Sequence, residues 1–407
     1  MATQLELLQP LEPLTVPVKL LEELPPIISF FSGAGFLDLG LFRAGFQIAW
    51  SLEKDPQFCM AHDHGFRSYF ESTSRFGTPP FINCVDDIQQ KGPNAIRREA
   101  FGLTAVSADF GLVGGPPCPD FSVGGKNRGQ LGDRGRLTRV FVERICELEP
   151  QFFLIENVKG LISTRKHRDF LFAELWKLEQ KGYAVDHRVL NALDLGVPQD
   201  RERLFIVGIK RSLVKKLYSR VIRKGQRNWF PWPADPRFAG AKTRFQWPTT
   251  SPFGAVPIKP QGIPEELLVG PLVMDQEEIA RLPNGTEGFE PYSEKFKQIA
   301  EGDDSRKCFK RLHRYRYSPT AAYGNNEVHL HPALPRRLTV REALRIQTVP
   351  DSFALPPELT LSAKFKLTGN GVPVELARHI GLAIVRFLTG RSAPEEGELN
   401  RNGREQD

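Results

Sequence analysis

The sequence predicts an α/β protein: a doubly wound, mainly parallel sheet with a smaller, irregular domain attached. Two observations carry that expectation. From Ile27 to Ile209, short apolar runs of strand length alternate with stretches of helical spacing. After Lys210 the rhythm stops, and the chain becomes rich in proline, glycine, aromatic and basic residues. Alternating strands and helices imply crossover connections that cover both faces of a largely parallel sheet.

Each element has its own local reason. Ile27-Ile28-Ser29-Phe30-Phe31 is an apolar run broken by a glycine-rich turn, and Leu37 to Ala44 reads as helix. Gln47 to Leu52 reads as a strand, and Pro56 suits the first turn of the next helix, where its missing N–H is not needed. A third strand is expected before Asp87-Ile88. Phe110 to Val113 is a strand running into Gly114-Gly115, while Leu137, Val140, Phe141, Ile145 and Leu148 keep helical spacing. Phe152 to Ile155 reads as a buried strand, Phe170 to Leu178 as a helix and Leu204 to Ile209 as another strand. Helical character returns at Val340 to Ile346 and Val374 to Leu388. The expected division is an N-terminal extension over 1–26, a main domain over 27–210 plus 361–390, the irregular domain over 211–360, and a polar tail over 391–407.

A length of 407 residues suits this arrangement. The net charge of +7 fits a polyanionic partner and equally fits plain solubility. Five cysteines, at 59, 84, 118, 146 and 308, form no CxxC pair, which argues against a disulfide framework or structural zinc and for a reducing compartment. No metal site is expected. No apolar run approaches the roughly 20 residues that cross a bilayer. The acidic, proline-interrupted N-terminus does not look like a signal peptide, so a soluble, cytoplasmic protein without membrane contact is expected.

Four segments carry chemistry. In Phe31-Ser32-Gly33-Ala34-Gly35-Phe36, between the first strand and its helix, glycines let the backbone approach a nucleotide closely. They also suit a plain tight turn. Glu53 closes the second strand, about twenty positions on, where a carboxylate can hydrogen-bond ribose hydroxyls; with Asp87-Ile88 this points to an adenosine-containing cofactor. Gly114-Gly115-Pro116-Pro117-Cys118-Pro119 lies at the carboxyl end of a strand, the edge where open α/β sheets bind ligands. Prolines on both sides fix the backbone at Cys118. The glycine-rich, basic stretch from Ser122 to Arg136 reads as a loop able to close over a substrate. A thiol needs nearby positive charge to attack at neutral pH, and Arg201 and Arg203 are candidates. Glu156 ends the strand Phe152 to Ile155, where desolvation raises a carboxyl pKa and lets it donate a proton; helix capping is the plainer alternative. In Gln199-Asp200-Arg201-Glu202-Arg203, strand alternation puts both arginines on one face.

Together these segments resemble the cytosine-5 DNA methyltransferase family, of the bacterial restriction-modification type, in order and spacing. The matching pieces are Phe31 to Gly35, Glu53, Asp87-Ile88, Pro117-Cys118, Glu156-Asn157-Val158, Gln199 to Arg203, Arg337 to Glu342 continuing to Pro350-Asp351, and Gly369-Asn370-Gly371-Val372. The similarity covers nearly all of residues 27 to 390 except about 211 to 305. It implies a Rossmann-like catalytic domain and a target-recognition domain. It implies methyl transfer from S-adenosylmethionine to C5 of a flipped cytosine, with Cys118 adding to C6, Glu156 steadying N3, Arg203 at the base and Arg201 supporting the site. Phe31, Gly33, Gly35, Glu53, Asp87, Ile88, Asn370 and Val372 are then expected at the cofactor, and Ser122, Gln199, Arg314 and Arg316 at the DNA. Pro119 stands where many members have Gln.

Basic clusters flank the irregular segment, from Lys210 to Arg227 and from Arg306 to Arg316, and suit duplex phosphates. Trp229, Trp232 and Trp247, set among prolines, are expected to pack rather than stack on bases. A monomer is expected, with any cognate restriction endonuclease acting independently. The competing readings are a transfer RNA methyltransferase, whose Cys-Phe-Thr signature is replaced here by Cys308-Phe309-Lys310, and a non-catalytic DNA-binding regulator, disfavoured by intact Cys118, Glu156 and Arg203.

Overall fold

The structure is a computed structural model and describes residues 23–73, 81–102, 109–117, 133–291, 293–323 and 327–390. The apolar runs pair into one seven-stranded sheet in the order β3-β2-β1-β4-β5-β7-β6. Its strands are β1 (Ile27–Phe30), β2 (Ile48–Glu53), β3 (Ile82–Val85), β4 (Gly111–Gly114), β5 (Phe152–Val158), β6 (Tyr183–Asn191) and β7 (Glu202–Lys210). All pairs from β3 to β5 are parallel, whereas β7 runs antiparallel to both β5 and β6. The main helices are α1 (Phe36–Arg43), α2 (Pro56–Ser72), α3 (Pro93–Phe101), α4 (Asp133–Leu148), the short α5 (Gly160–Ser163), α6 (Arg165–Gln180) and α7 (Arg211–Tyr218).

Strand alternation sends side chains to opposite faces of the sheet. Ile27, Val113, Phe152, Leu154, Phe205 and Val207 join one core, and Ile28, Phe30, Leu112, Phe153, Ile155, Leu204 and Ile206 join the other. Both faces are therefore covered, as expected of a doubly wound sheet.

From Arg211 on the outcome divides. Leu213, Val214 and Leu217 of α7, then Ile222, Trp229, Phe230 and Trp232, are buried in the first core. Residues 213–232 thus pack against the sheet, although the rhythm of the sequence placed them with the irregular domain. Trp229 and Trp232 are packing residues here, at 1% and 7% exposure. The buried carboxylate of Asp186 on β6 holds this segment by accepting the N–H groups of Asn228 (3.1 Å), Trp229 (2.9 Å) and Phe230 (3.0 Å). Beyond it the described residues form short helices, α8 (Ala241–Arg244), α9 (Gly270–Val273) and α10 (Gln276–Arg281), before α11 (Val340–Ile346), α12 (Leu361–Asn370) and α13 (Val374–Thr389). Helix α13 returns to lie against α1, and Gly40 lets the backbones approach: a Cβ there would sit 2.6 Å from the Val374 carbonyl.

Strand order reverses between β1 and β4, so a crevice opens outside their carboxyl ends. The glycine-rich turn leaves β1 at this point, and Gly115-Pro116-Pro117 leaves β4 beside it.

Candidate active site

The site is assembled by strand direction. β5 is parallel to β4, so Glu156 emerges at the edge where Gly114-Gly115 emerges, with Gly114 opposite Ile155. β7 enters that edge from the other direction, with Val158 opposite Arg203. The result is an ion pair between Arg203 Nε and Glu156 Oε1 at 3.1 Å, both side chains 14% exposed. Burial pushes the Glu156 carboxyl above its ordinary range, and the Arg203 and Arg201 guanidinium groups pull the other way. A carboxyl held upward beside a cation can keep or give up its proton according to what arrives.

Gly115 leaves room for that carboxyl: a Cβ there would lie 2.9 Å from Glu156 Oε2. The next residue along β5, Asn157, donates its side-chain amide to the Pro116 carbonyl at 3.3 Å, tying the β4 loop to the end of β5. Cys118 follows Pro117 directly; it and Ser122 lie outside the described residues.

Arg201 does different work. It is 1% exposed. Its guanidinium donates to the carbonyls of Ala321 (2.9 Å), Gly369 (2.9 Å) and Gly371 (2.8 Å). Two of these flank Asn370, which is exposed at the end of α12. Arg201 therefore ties the segment entering β7 to the turn carrying Asn370. Gln199, expected at DNA, is fully buried instead, bonded to Gln347 Oε1 (3.0 Å), the Ile346 carbonyl (3.2 Å) and the Ala321 N–H (3.1 Å). It offers DNA no surface and braces the same junction. Neither role was legible locally, because the partners lie more than a hundred positions away. Gln347, which also donates to the Thr368 carbonyl at 2.5 Å, was not singled out from the sequence at all.

The glycine-rich loop after β1 is shaped by Glu53. Its two oxygens accept the N–H groups of Gly33 (3.0 Å) and Asp55 (2.9 Å). Gly33 has φ +57, with nothing within 4 Å of the space a Cβ would take. Ser32 is 8% exposed and its hydroxyl has no partner. Behind the loop, buried Asp38 accepts from Ser29 Oγ at 2.6 Å and pairs with His62 Nε2 at 3.0 Å. Nothing near either residue in the sequence signals that pairing. The His62 ring packs so closely that a Cβ on Gly35 would fall 2.6 Å from it. Phe31 meets Phe141 edge-on with ring centres 5.8 Å apart. Asp87 pairs with Lys54 at 2.8 Å and accepts the Gln89 N–H at 3.0 Å, while Ile88 is buried below it. Val372 is buried at 6% exposure, two residues past Asn370.

The arginines expected at DNA are engaged within the protein. Arg314 grips buried Glu301 with two nitrogens, at 2.9 and 2.8 Å. Arg316 lies 3.6 Å from Asp304 and 3.3 Å from the Gly302 carbonyl. Arg311, counted among the phosphate-binding basic residues, is fully buried and donates to the carbonyls of Phe296, Ile299, His331 and Leu334. Its charge is spent on irregular backbone, not on phosphate. Among the described residues, no helix is long and apolar enough to cross a membrane.

Comparisons with known proteins bear on the family and the fold. Type II methyltransferase M.NmeDI of Neisseria meningitidis serogroup C is 42% identical over 374 residues, covering 89% of this chain and 84% of that protein. Type II methyltransferase M.XorII of Xanthomonas oryzae is 32% identical, covering 91% and 86%. A solved structure described as a DNA modification methyltransferase of an E. coli prophage superposes with a TM-score of 0.60 at 25% identity, covering 89% of this chain and 99% of that one. The S. pombe Dnmt2 methyltransferase shares the fold, with a TM-score of 0.55 at 12% identity over 89% of this chain and 98% of its own. The profile of C-5 cytosine-specific DNA methylases matches residues 26–386. A seven-stranded sheet with one antiparallel strand, a Glu–Arg pair at the edge where its parallel strands end, and a match along nearly the whole chain lead to one assignment: this protein belongs to the C-5 cytosine-specific DNA methylase family.

Proposed function

We propose that the protein methylates C5 of a cytosine within a specific sequence of duplex DNA, taking the methyl group from S-adenosylmethionine. The observation that carries this reading is the Glu156–Arg203 pair, set beside the loop that leads into Cys118. C5 and C6 are inaccessible in a stacked duplex, so the target base must leave the helix, at a few kcal/mol.

The residues at the switch point fit an adenosyl cofactor. Gly33 leaves open space along its backbone, the Ser32 hydroxyl lacks a partner, and Glu53 keeps lone pairs beyond the two N–H groups it accepts. Phe31, Gly33, Gly35, Glu53, Asp87 and Ile88 line one side of that pocket in this reading, with Asn370 and Val372 on the other. When bound, the cofactor supplies a methyl carbon activated by a sulfonium.

The chain's own groups make C5 a nucleophile. Cys118, as thiolate, adds to C6. Glu156, carrying a proton, donates to N3, so the electron pair displaced from the C5–C6 bond builds up at C5. Arg203 holds the Glu156 carboxyl and faces the base. After methylation, a base removes the C5 proton, the C5=C6 double bond re-forms as the C6–S bond breaks, Cys118 departs as thiolate, and N3 returns its proton to Glu156. Arg201 keeps the Asn370 turn in register with β7, and so keeps donor and acceptor sites at a fixed separation.

Recognition of the target sequence falls to the irregular region beyond Trp232, and Ser122, four residues past Cys118 in the sequence, is assigned to the DNA as well. The test is incubation of purified protein and its Cys118→Ser variant with methyl-labelled S-adenosylmethionine and either duplex DNA or transfer RNA. Label in DNA as 5-methylcytosine with wild type, and none with the variant, is expected. Label entering transfer RNA alone overturns the substrate, and turnover by the variant overturns the nucleophile.

A further inference from the structure

The irregular region carries a loop that the reaction scheme does not use. Its near end is pinned where Ser251 and Glu301 exchange backbone hydrogen bonds of 3.0 and 2.8 Å. The Arg311 guanidinium lies 4.5 Å from the ring centre of Phe253. Its far end is pinned by Ile263, at 8% exposure. Between these anchors Val256 and Ile258 are 83% and 91% exposed, the highest values among exposed large hydrophobic residues in the described part of the chain. They alternate with half-buried Ala255 and Pro257, so both project to the outer side of an extended segment. Pro252, Pro257, Pro260 and Pro264 fix φ along the loop.

Single exposed apolar side chains are ordinary on protein surfaces. Two β-branched ones at the tip of a loop stiffened by prolines and fastened at both ends form a preorganised contact. From Ser251 to Pro264 there is no acidic residue, and the one cation, Lys259, pairs with Glu265 just past that stretch. The apolar tip is thus left without a free charge of its own, and no carboxylate between the anchors repels an approaching phosphate backbone. The loop's base is also tied toward the active site: Glu301 holds Arg314, Arg316 offers its carbonyl to the Val269 N–H at 2.9 Å, and Ser318 donates its N–H to the Pro198 carbonyl at 2.8 Å, three residues before Arg201.

We propose that the 252–262 loop enters the major groove of the substrate duplex, and that Val256 and Ile258 select a base pair by apolar contact with a thymine C5-methyl group. This inference rests on the DNA-methylation reading. In the major groove that methyl group is the apolar mark that sets thymine apart from the other bases.

The experiment uses a duplex library randomised around the target cytosine, methylated by wild type or by the Val256→Ser/Ile258→Ser double variant and read by bisulfite sequencing. Both positions face water, so the variant keeps its fold. Wild type is expected to require thymine at one or more fixed positions. The variant should lose that requirement and methylate the best wild-type sequence at least tenfold more slowly, with KM for S-adenosylmethionine unchanged. Replacing the selected thymine by uracil, which removes only the methyl group, should slow wild type and leave the variant unaffected. An unchanged sequence pattern, or a rate loss equal at every sequence, overturns the assignment to this loop. Absence of methylation by wild type instead removes the functional reading on which it stands.

Discussion

Glu156 has two opposed influences on its proton, and their balance makes it testable by pH. Desolvation raises its pKa and the two arginines lower it, with burial the larger effect. If the acid form is the working form, kcat falls as pH climbs through that raised pKa, since the carboxylate left behind no longer donates to N3. Glu156→Gln keeps an N–H donor but has no proton to lose. Its kcat should drop by roughly a hundredfold or more, the usual contribution of a general acid, and the alkaline fall should flatten. Methyl incorporation measured from pH 6 to 10 (~ four units, wide enough to span a raised carboxyl) checks this; an unchanged alkaline limb assigns the titration to another group. Glu156 and Arg203 were legible in the sequence because each adjoins an apolar strand whose direction fixes where it emerges. Arg201 and Gln199 were legible as present but not in role. Nothing near either one announces carbonyl and amide partners around 321, 347 and 369. Arg201→Lys preserves charge but cannot reach three carbonyls in a planar fork. Each carbonyl left unpaired costs about 1–3 kcal/mol, so a lowered thermal midpoint and a raised KM for S-adenosylmethionine are expected together. A change in kcat alone contradicts the bracing role.

Elements with uninterrupted apolar runs or clean helical spacing were read close to their observed limits; β1, β2, β4 and α11 are examples, while β5 runs three residues past its expected end, to Val158. β6 was missed, and the reason is visible in Asp186-His187-Arg188, which breaks the apolar run mid-strand. That polar triplet is tolerated because Asp186 spends its charge on three backbone N–H groups of the 228–230 segment. Similarly, α7 carries Arg211, Lys215 and Lys216 and reads as part of a basic patch, yet Leu213, Val214 and Leu217 face the sheet. A basic helix can cover a core with one stripe while its charges stay wet. The contact between α1 and α13 is a separate test at this scale. Gly40→Val forces a side chain where only 2.6 Å separates the Cβ position from the Val374 carbonyl. Overpacking of this kind costs about 1–3 kcal/mol, to be read as a lower urea midpoint at unchanged slope; a variant as stable as wild type contradicts the close approach.

At the scale of the whole molecule, both halves bury an apolar core but satisfy their backbones differently. The sheet half is a sandwich of apolar layers and was legible from periodicity. The irregular half buries Val273, Leu312, Leu338 and Leu344 in a further core but has little ladder, and buried arginines take that part. Arg311 serves four carbonyls, while Arg341 serves those of Pro283, Pro350 and Phe353. No periodicity encodes such contacts, so the order of motifs was readable across this region and its architecture was not. With its buried arginines committed to backbone, phosphate contact falls to exposed cations, and DNA affinity should still drop steeply between 50 and 200 mM salt, by about tenfold or more; filter binding that is flat over this range contradicts a phosphate-based interface. The central claim is that Cys118 attacks the base held by Glu156 and Arg203. It is tested most directly with duplex DNA carrying 5-fluorocytosine at the target, plus S-adenosylmethionine. Fluorine cannot leave as a proton does, so the thioether to C6 should persist, and mass spectrometry should find the nucleotide on the peptide containing Cys118. An adduct on a different residue, or ordinary turnover of cytosine with no adduct on the fluorinated duplex, contradicts the account.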